Sequence, residues 1–172
     1  TVYYTAAVGI VYDKRLHQQK FFLEHTDDIK SLAICPSRLS VENAAGHETF
    51  FEALRLVATG QLTPVGGHPI VFVWDTKRPE AGHVRRLDFA ADARGIVALA
   101  FSPDGTKLVS VSTDNQHTVQ VWDWRKGQML ADGKGGQGVP PFVWGAVWDP
   151  FGEDEMFVTY GVKHLKYWRA TK

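Results

Sequence analysis

A short motif, an apolar strand closed by Trp-Asp, occurs twice in this chain: IVFVWD at residues 70–75 and TVQVWDW at 118–124. Weaker copies are GIVYD at 9–13 and HLKYWR at 164–169. Trp74 and Trp122 stand 48 residues apart, and Trp122 and Trp168 stand 46 apart. A unit of that length cannot bury its apolar face alone, so neighbouring copies must stack. The repeat therefore decides the fold class before any other feature is weighed.

Trp-Asp at a period of roughly 40–45 residues indicates WD40 blades, each of four antiparallel strands around a propeller axis. The clearest blade has strands at 96–101, 108–112, 117–122 and 128–131, with the tight turn Ser102-Pro103-Asp104-Gly105 after the first. Pro presets φ and Gly supplies the permissive backbone for such a turn. The next blade starts at 143–148, turns at Asp149-Pro150-Phe151-Gly152, and continues at 156–160 and 164–168. The preceding one runs through 29–34, the turn Cys35-Pro36-Ser37-Arg38, then 54–59, 70–74 and 84–89. Strands at 3–7, 9–12 and 20–23 fit the second to fourth positions of a blade without its inner strand.

The expected fold is thus all-β, a WD40-type β-propeller segment of 14 strands. Blade parts fall at 1–25, 26–92, 93–138 and 139–172, about three and a half blades. Propellers close with about 4–8 blades, so this segment is expected to belong to a larger propeller and to a longer polypeptide.

One stretch breaks the period. Residues 39–53, LSVENAAGHETFFEA, lengthen the first full blade. Phe50, Phe51 and Leu54 follow an i, i+1, i+4 spacing, so an inserted loop or short helix is expected there, outside the blade and tolerant of deletion. It either folds its phenylalanines back onto its own blade or presents Phe50 and Phe51 to a partner.

Candidate site residues are mostly structural. Many WD repeats join a His, an Asp in the turn after the second strand, a Ser or Thr, and the Trp in one hydrogen-bond network. Here the parts are scattered. Trp74-Asp75 has His25 but only Gly60-Gln61 where the turn Asp belongs. Trp122-Asp123 has Ser112 and Asp114 but no His before Gly95. Trp168 marks the last repeat. Catalysis is not expected: the seven histidines show no HxH or HExxH spacing, and Cys35, expected as an exposed or half-buried turn residue, has no CxxC partner. Asp27-Asp28 reads as a solvated turn. The glycine-rich run at 133–138 lacks the order of a phosphate loop and reads as a link between blades. No cofactor or metal is expected.

Lys plus Arg and Asp plus Glu are 19 each, so no global field draws in nucleic acid or an anionic membrane, and neither is an expected partner. No apolar run approaches the ~18 residues of a membrane span. Cys35 is the one cysteine, which excludes an internal disulfide and fits a reducing compartment. Basic residues cluster locally at Lys77-Arg78, Arg85-Arg86, Arg125-Lys126, and in the group Lys163, Lys166, Arg169 and Lys172. The last group, then Arg125-Lys126, are the candidate contacts for an acidic partner.

The stretches YYTAAVGIVYD, FFLEHTDDIKSLAICPSR, LVATGQ, IVFVWDT and HTVQVWDWRKG resemble the echinoderm microtubule-associated-protein-like (EML) family. The likeness covers nearly the whole chain apart from the insertion. It implies a non-catalytic tandem propeller that binds tubulin, microtubules or other cytoskeletal proteins, supported by the remaining blades of the same polypeptide. It also implies a cytoplasmic, cytoskeletal location, with cilium, axoneme or spindle as settings. The alternative is a general WD40 scaffold recruiting a signalling or ubiquitin-pathway protein.

Overall fold

The computed structural model describes residues 1–43, 45–90, 92–137, 142–151 and 155–170. Lys172, Gly152 of one proposed turn and Gly138 of the glycine-rich link lie outside the described residues. Sixteen strands are present among the described residues, in four antiparallel sheets and one separate hairpin.

The first sheet holds β1 (Val2–Thr5), β2 (Val8–Asp13) and β3 (Gln18–Phe22). The second holds β4 (Ile29–Ile34), β7 (Leu56–Gln61), β8 (Ile70–Asp75) and β9 (His83–Asp88), in that order. Between β4 and β7 the chain makes the hairpin of β5 (Leu39–Glu42) and β6 (Glu48–Phe51). The third sheet is β10 (Ile96–Phe101), β11 (Leu108–Ser112), β12 (Thr118–Asp123) and β13 (Gln128–Lys134). The fourth is β14 (Phe142–Trp148), β15 (Met156–Val162) and β16 (His164–Arg169).

The sheets stack side by side through their first strands, with β10 lying against both β4 and β14. β1 touches β4 as β7 touches β10 and as β11 touches β14. β1 therefore occupies the second position of its sheet. Each first strand carries a bulge against the second, at Ile29/Ser31, Ile96/Ala98 and Val143/Gly145. Both four-stranded sheets carry another immediately before the tryptophan, at Val73/Trp74 and Val121/Trp122. A bulge increases local twist, which lets successive sheets fan around an axis. This is the architecture of a WD40-type propeller segment.

Strand sequences explain the layers. Every residue of β7 and β8 is buried, so those strands read as continuous apolar runs. One core lies between the first and second sheets, around Phe22, Val57, Phe72 and Trp74. A second joins the second and third sheets, and a third joins the third and fourth. Each fully buried Val, Leu, Ile or Phe contributes about 1.5–3 kcal/mol relative to exposure. Polar stitches cross the same seams: the Ser31 hydroxyl donates to the Ile96 carbonyl at 2.8 Å, and the Trp148 indole donates to the Ala100 carbonyl at 2.9 Å.

Residues 39–53 correct the expectation of an inserted loop or short helix. The period is two, not 3.6: Leu39 pairs with Phe51 and Val41 with Thr49 on one face, Ser40 with Phe50 and Glu42 with Glu48 on the other. Leu39, Val41 and Phe51 are buried in the core shared by the second and third sheets, so the hairpin is part of the fold. Its turn is held by the Asn43 side-chain oxygen, which accepts from the amides of Ala45 and His47 at 2.9 and 3.0 Å. Leu54 sits at φ 62° and is exposed, which excludes a helical face through it. Cys35 is also corrected: it is buried, packed where a Cβ on Gly105 would meet its sulfur at 2.8 Å. Burial pushes its thiol pKa up, away from nucleophilic chemistry.

Candidate functional site

Register places the first constellation. Trp74 pairs across with Val57, and the residue two further along β7 on the same face is Thr59. The indole donates to the Thr59 hydroxyl at 2.9 Å. That hydroxyl meets His25 Nε2 at 2.7 Å, and His25 Nδ1 meets Gln61 Oε1 at 2.7 Å. The Gln61 oxygen also accepts from the Thr26 amide, at 3.2 Å. Because that oxygen only accepts, Nδ1 carries the proton and Nε2 accepts from Thr59. The chain of donors runs Trp74, Thr59, His25, Gln61 without a break. Gln61 thus does what a turn Asp does in the generic repeat, and Thr59 and Gln61 are the members sequence reasoning missed.

Asp75, next to Trp74, is buried and held bidentately by Arg55 at 2.7 and 2.5 Å. The Arg55 guanidinium also lies 5.1 Å over the Phe51 ring, tying the hairpin to the Trp-Asp strand.

The second constellation differs. Trp122 pairs with Leu108 and donates to Ser110 at 3.0 Å. Ser112, the serine singled out from sequence, instead donates to Asp114 at 2.6 Å. Asp114 accepts from the amides of Gln116 and Thr118, so it fixes the β11–β12 turn and does not reach the indole's hydroxyl. Asp123 has no partner like Arg55; Arg125 and Lys126 approach it at 3.8 and 3.6 Å. Trp124, fully buried, donates to the Gly105 carbonyl at 2.8 Å. The third constellation is Trp168, which donates to Thr159 at 2.8 Å, with His164 Nε2 on the same hydroxyl at 2.8 Å. Its histidine opens β16, a position the generic repeat does not predict.

Charge states follow from these surroundings. Burial pushes His25 down to about 4, against the opposing pull of Gln61 and Glu24, so it is neutral at pH 7. His164 is also lowered, first by burial. Burial alone would raise Asp75 and Asp114. Hydrogen bonds outweigh it, from Arg55 and the Lys77 amide on Asp75, and from Ser112, Thr118 and Gln116 on Asp114, so both stay below the usual carboxylate range.

The candidate contact residues are divided by the fold. Phe50 is exposed, whereas Phe51 is buried and unavailable to a partner. Lys163, Lys166 and Arg169 do not form one face. Lys166 donates to the Lys134 carbonyl at 2.6 Å and lies over the Trp168 ring, while strand alternation turns Arg169 to the opposite side. Lys172 lies outside the described residues. Arg125 and Lys126, by contrast, meet Arg85 from the neighbouring sheet in one groove. Asp27 and Asp28 form no ligand set, and among the described residues no group of three His, Cys, Asp or Glu could hold a metal. No helix among them is long and apolar enough to cross a membrane.

The family profile described as echinoderm microtubule-associated protein first beta-propeller matches residues 18–172. The chain belongs to the EML family. It is 31% identical over 99% of its length to the 77 kDa echinoderm microtubule-associated protein of Strongylocentrotus purpuratus, and covers 22% of that protein. It is 32% identical over 98% of its length to human echinoderm microtubule-associated protein-like 1, covering 19% of it. The chain thus spans about a fifth of the length of these EML relatives. The match places it in the first propeller, and the EML profile includes the hairpin within its bounds.

Proposed function

We propose that this chain is a rigid, non-catalytic interaction module of a microtubule-associated protein, and that it contributes a surface for tubulin or the microtubule lattice. Membership of the EML family carries the reading, since its relatives are named as microtubule-associated. The constellations support it: Thr59, His25, Gln61 and Asp75 are spent on hydrogen bonds inside the protein. The setting proposed is the cytoplasmic cytoskeleton, including cilia or the spindle, with the remaining blades of the polypeptide as neighbours.

With no net charge, binding to an acidic surface must use local basic groups. Such contacts are screened over a Debye length of ~8 Å at physiological ionic strength. The test is co-sedimentation of the full-length protein with microtubules across a salt series. Binding that weakens as salt rises supports the proposal. No co-sedimentation at any salt overturns it and favours a general scaffold.

A further inference from the structure

One groove gathers charge that the sequence keeps apart. It encloses about 410 Å³ between the outer face of the hairpin and the β12–β13 turn. That is within the ~300–1,000 Å³ typical of ligand-seating clefts. One wall carries Arg85 of β9, Arg125 and Lys126; the other carries Ser40, Glu42, Asn43 and Glu48. Arg85 reaches across a seam between sheets: its Nη2 donates to the Glu42 carbonyl at 3.1 Å, and its Cδ packs 3.7 Å from where a Cβ on Gly127 would stand. Gly127 adopts φ 69°, the left-handed backbone that the tight β12–β13 turn requires.

The cations are incompletely neutralised. The Nε atoms of Arg85 and Arg125 are shielded from solvent and make no hydrogen bond. Asp123 forms ion pairs with Arg125 and Lys126 at 3.8 and 3.6 Å, so Arg85, bonded to the Glu42 backbone carbonyl, is the cation of the wall without a carboxylate partner among the described residues. Glu42 and Glu48 line the same groove, yet neither makes an ion pair with the basic wall. They sit opposite each other across the hairpin, where like charges destabilise a strand pair. Two guanidinium groups and an ammonium gathered on one wall favour an anion between them, because charge-assisted pairs to Arg are shorter and stronger than neutral ones.

We infer that this groove receives a short, extended, acidic segment of a protein partner, with one carboxylate between Arg85 and Arg125 and a second at the rim on Lys126. The glutamate wall repels the segment from the hairpin side and holds it against the cations, which gives the groove its sidedness. This rests on the proposal that the partner surface is acidic, but it names the place.

The test is titration of the full-length protein with a fluorescent glutamate-rich octapeptide, at low and at physiological salt. The wild-type protein should bind, more weakly as salt rises. Arg85→Gln with Arg125→Gln should lower affinity at least about tenfold, the size of one lost charge-assisted pair. Lys126→Glu alters an exposed side chain that no core contact uses, so it tests the groove without threatening the fold. Glu48→Gln should tighten binding. Absence of peptide binding by the wild type overturns the inference, as does equal binding by Lys126→Glu. Peptide binding that depends on the groove, in a protein that never co-sediments with microtubules, supports the groove and overturns the microtubule proposal. Co-sedimentation without any peptide binding does the reverse.

Discussion

The second and third sheets seat the same side chain by different means. Trp74 rests on Thr59, which is backed by a buried imidazole and Gln61; Trp122 rests on Ser110 with no imidazole behind it among the described residues. Trp74 is fully buried and stacks at 5.0 Å on Phe22 of the preceding sheet, whereas Trp122 meets Phe89 at a tilt. What the two share is register: the hydroxyl always lies two residues beyond the tryptophan's cross-strand partner, and Thr159 beneath Trp168 obeys the same rule. The seat is set by strand pairing. The groups behind it are interchangeable, and they decide how each sheet responds to its surroundings.

The strongest test of that contrast is truncation. Trp74→Ala and Trp122→Ala should each cost ~3–5 kcal/mol, because a cavity adds to the lost transfer energy. Trp74 should lie at the upper end, since its removal also strands Phe22. Urea unfolding followed by circular dichroism measures both, and a larger loss at Trp122 would break the comparison.

Acid separates the sheets next. His25 has a folded pKa of about 4 against 6.5 when unfolded, so the unfolded chain binds the proton more readily. The stability this gives is complete above pH 6.5 and disappears as pH falls towards 4, a loss of about 3 kcal/mol. Asp114, whose pKa is depressed below 3.8, supports the third sheet above that value and fails only under stronger acid. His164 shifts in the same direction as His25, so the informative quantity is a difference between variants. His25→Asn should flatten the stability profile between pH 6.5 and 4. An unchanged slope would remove His25 from it.

Removing the hydroxyls should have smaller consequences. Ser110→Ala leaves one buried N–H without an acceptor, at about 1–3 kcal/mol. Thr59→Val leaves both the Trp74 indole and His25 Nε2 unpaired and should cost more. Thermal melts rank the two, and a reversed order would mean that the imidazole, not the hydroxyl, is the seat. The smallest effect expected is that of Phe50→Ala, within about 0.5 kcal/mol for an exposed side chain, against a core-sized loss for its neighbour Phe51→Ala. Equal effects would contradict the hairpin's register.

Much of the fold was legible because Trp-Asp closes a strand at fixed intervals and Pro-Asp-Gly marks the turn after the first. The hairpin was not. Phe50, Phe51 and Leu54 offered a helical spacing, while the period-two signal lay split between Leu39-Val41 and Thr49-Phe51, with the turn in between. Gln61 was passed over because the generic repeat has an acid there, although an amide oxygen accepts from an imidazole equally well. Ser112 stands beside Asp114 in sequence and serves its turn, while counting two residues on from the tryptophan's cross-strand partner Leu108 identifies Ser110 as the acceptor. Pairing Arg85 with Arg125 needs the seam between two sheets, and no local pattern encodes that. Arg55 was likewise hidden, since its anchor Asp75 is 20 residues away.

β10 gives up backbone oxygens on both flanks, to Ser31 on one side and to the Trp148 indole on the other. Under tension these lateral stitches act in shear. Terminal strands held by ladder bonds alone can be peeled away one at a time, while β10 must break both rivets together. In single-molecule pulling, the third sheet should therefore be the last to yield, and Ser31→Ala should bring its rupture down towards that of its neighbours.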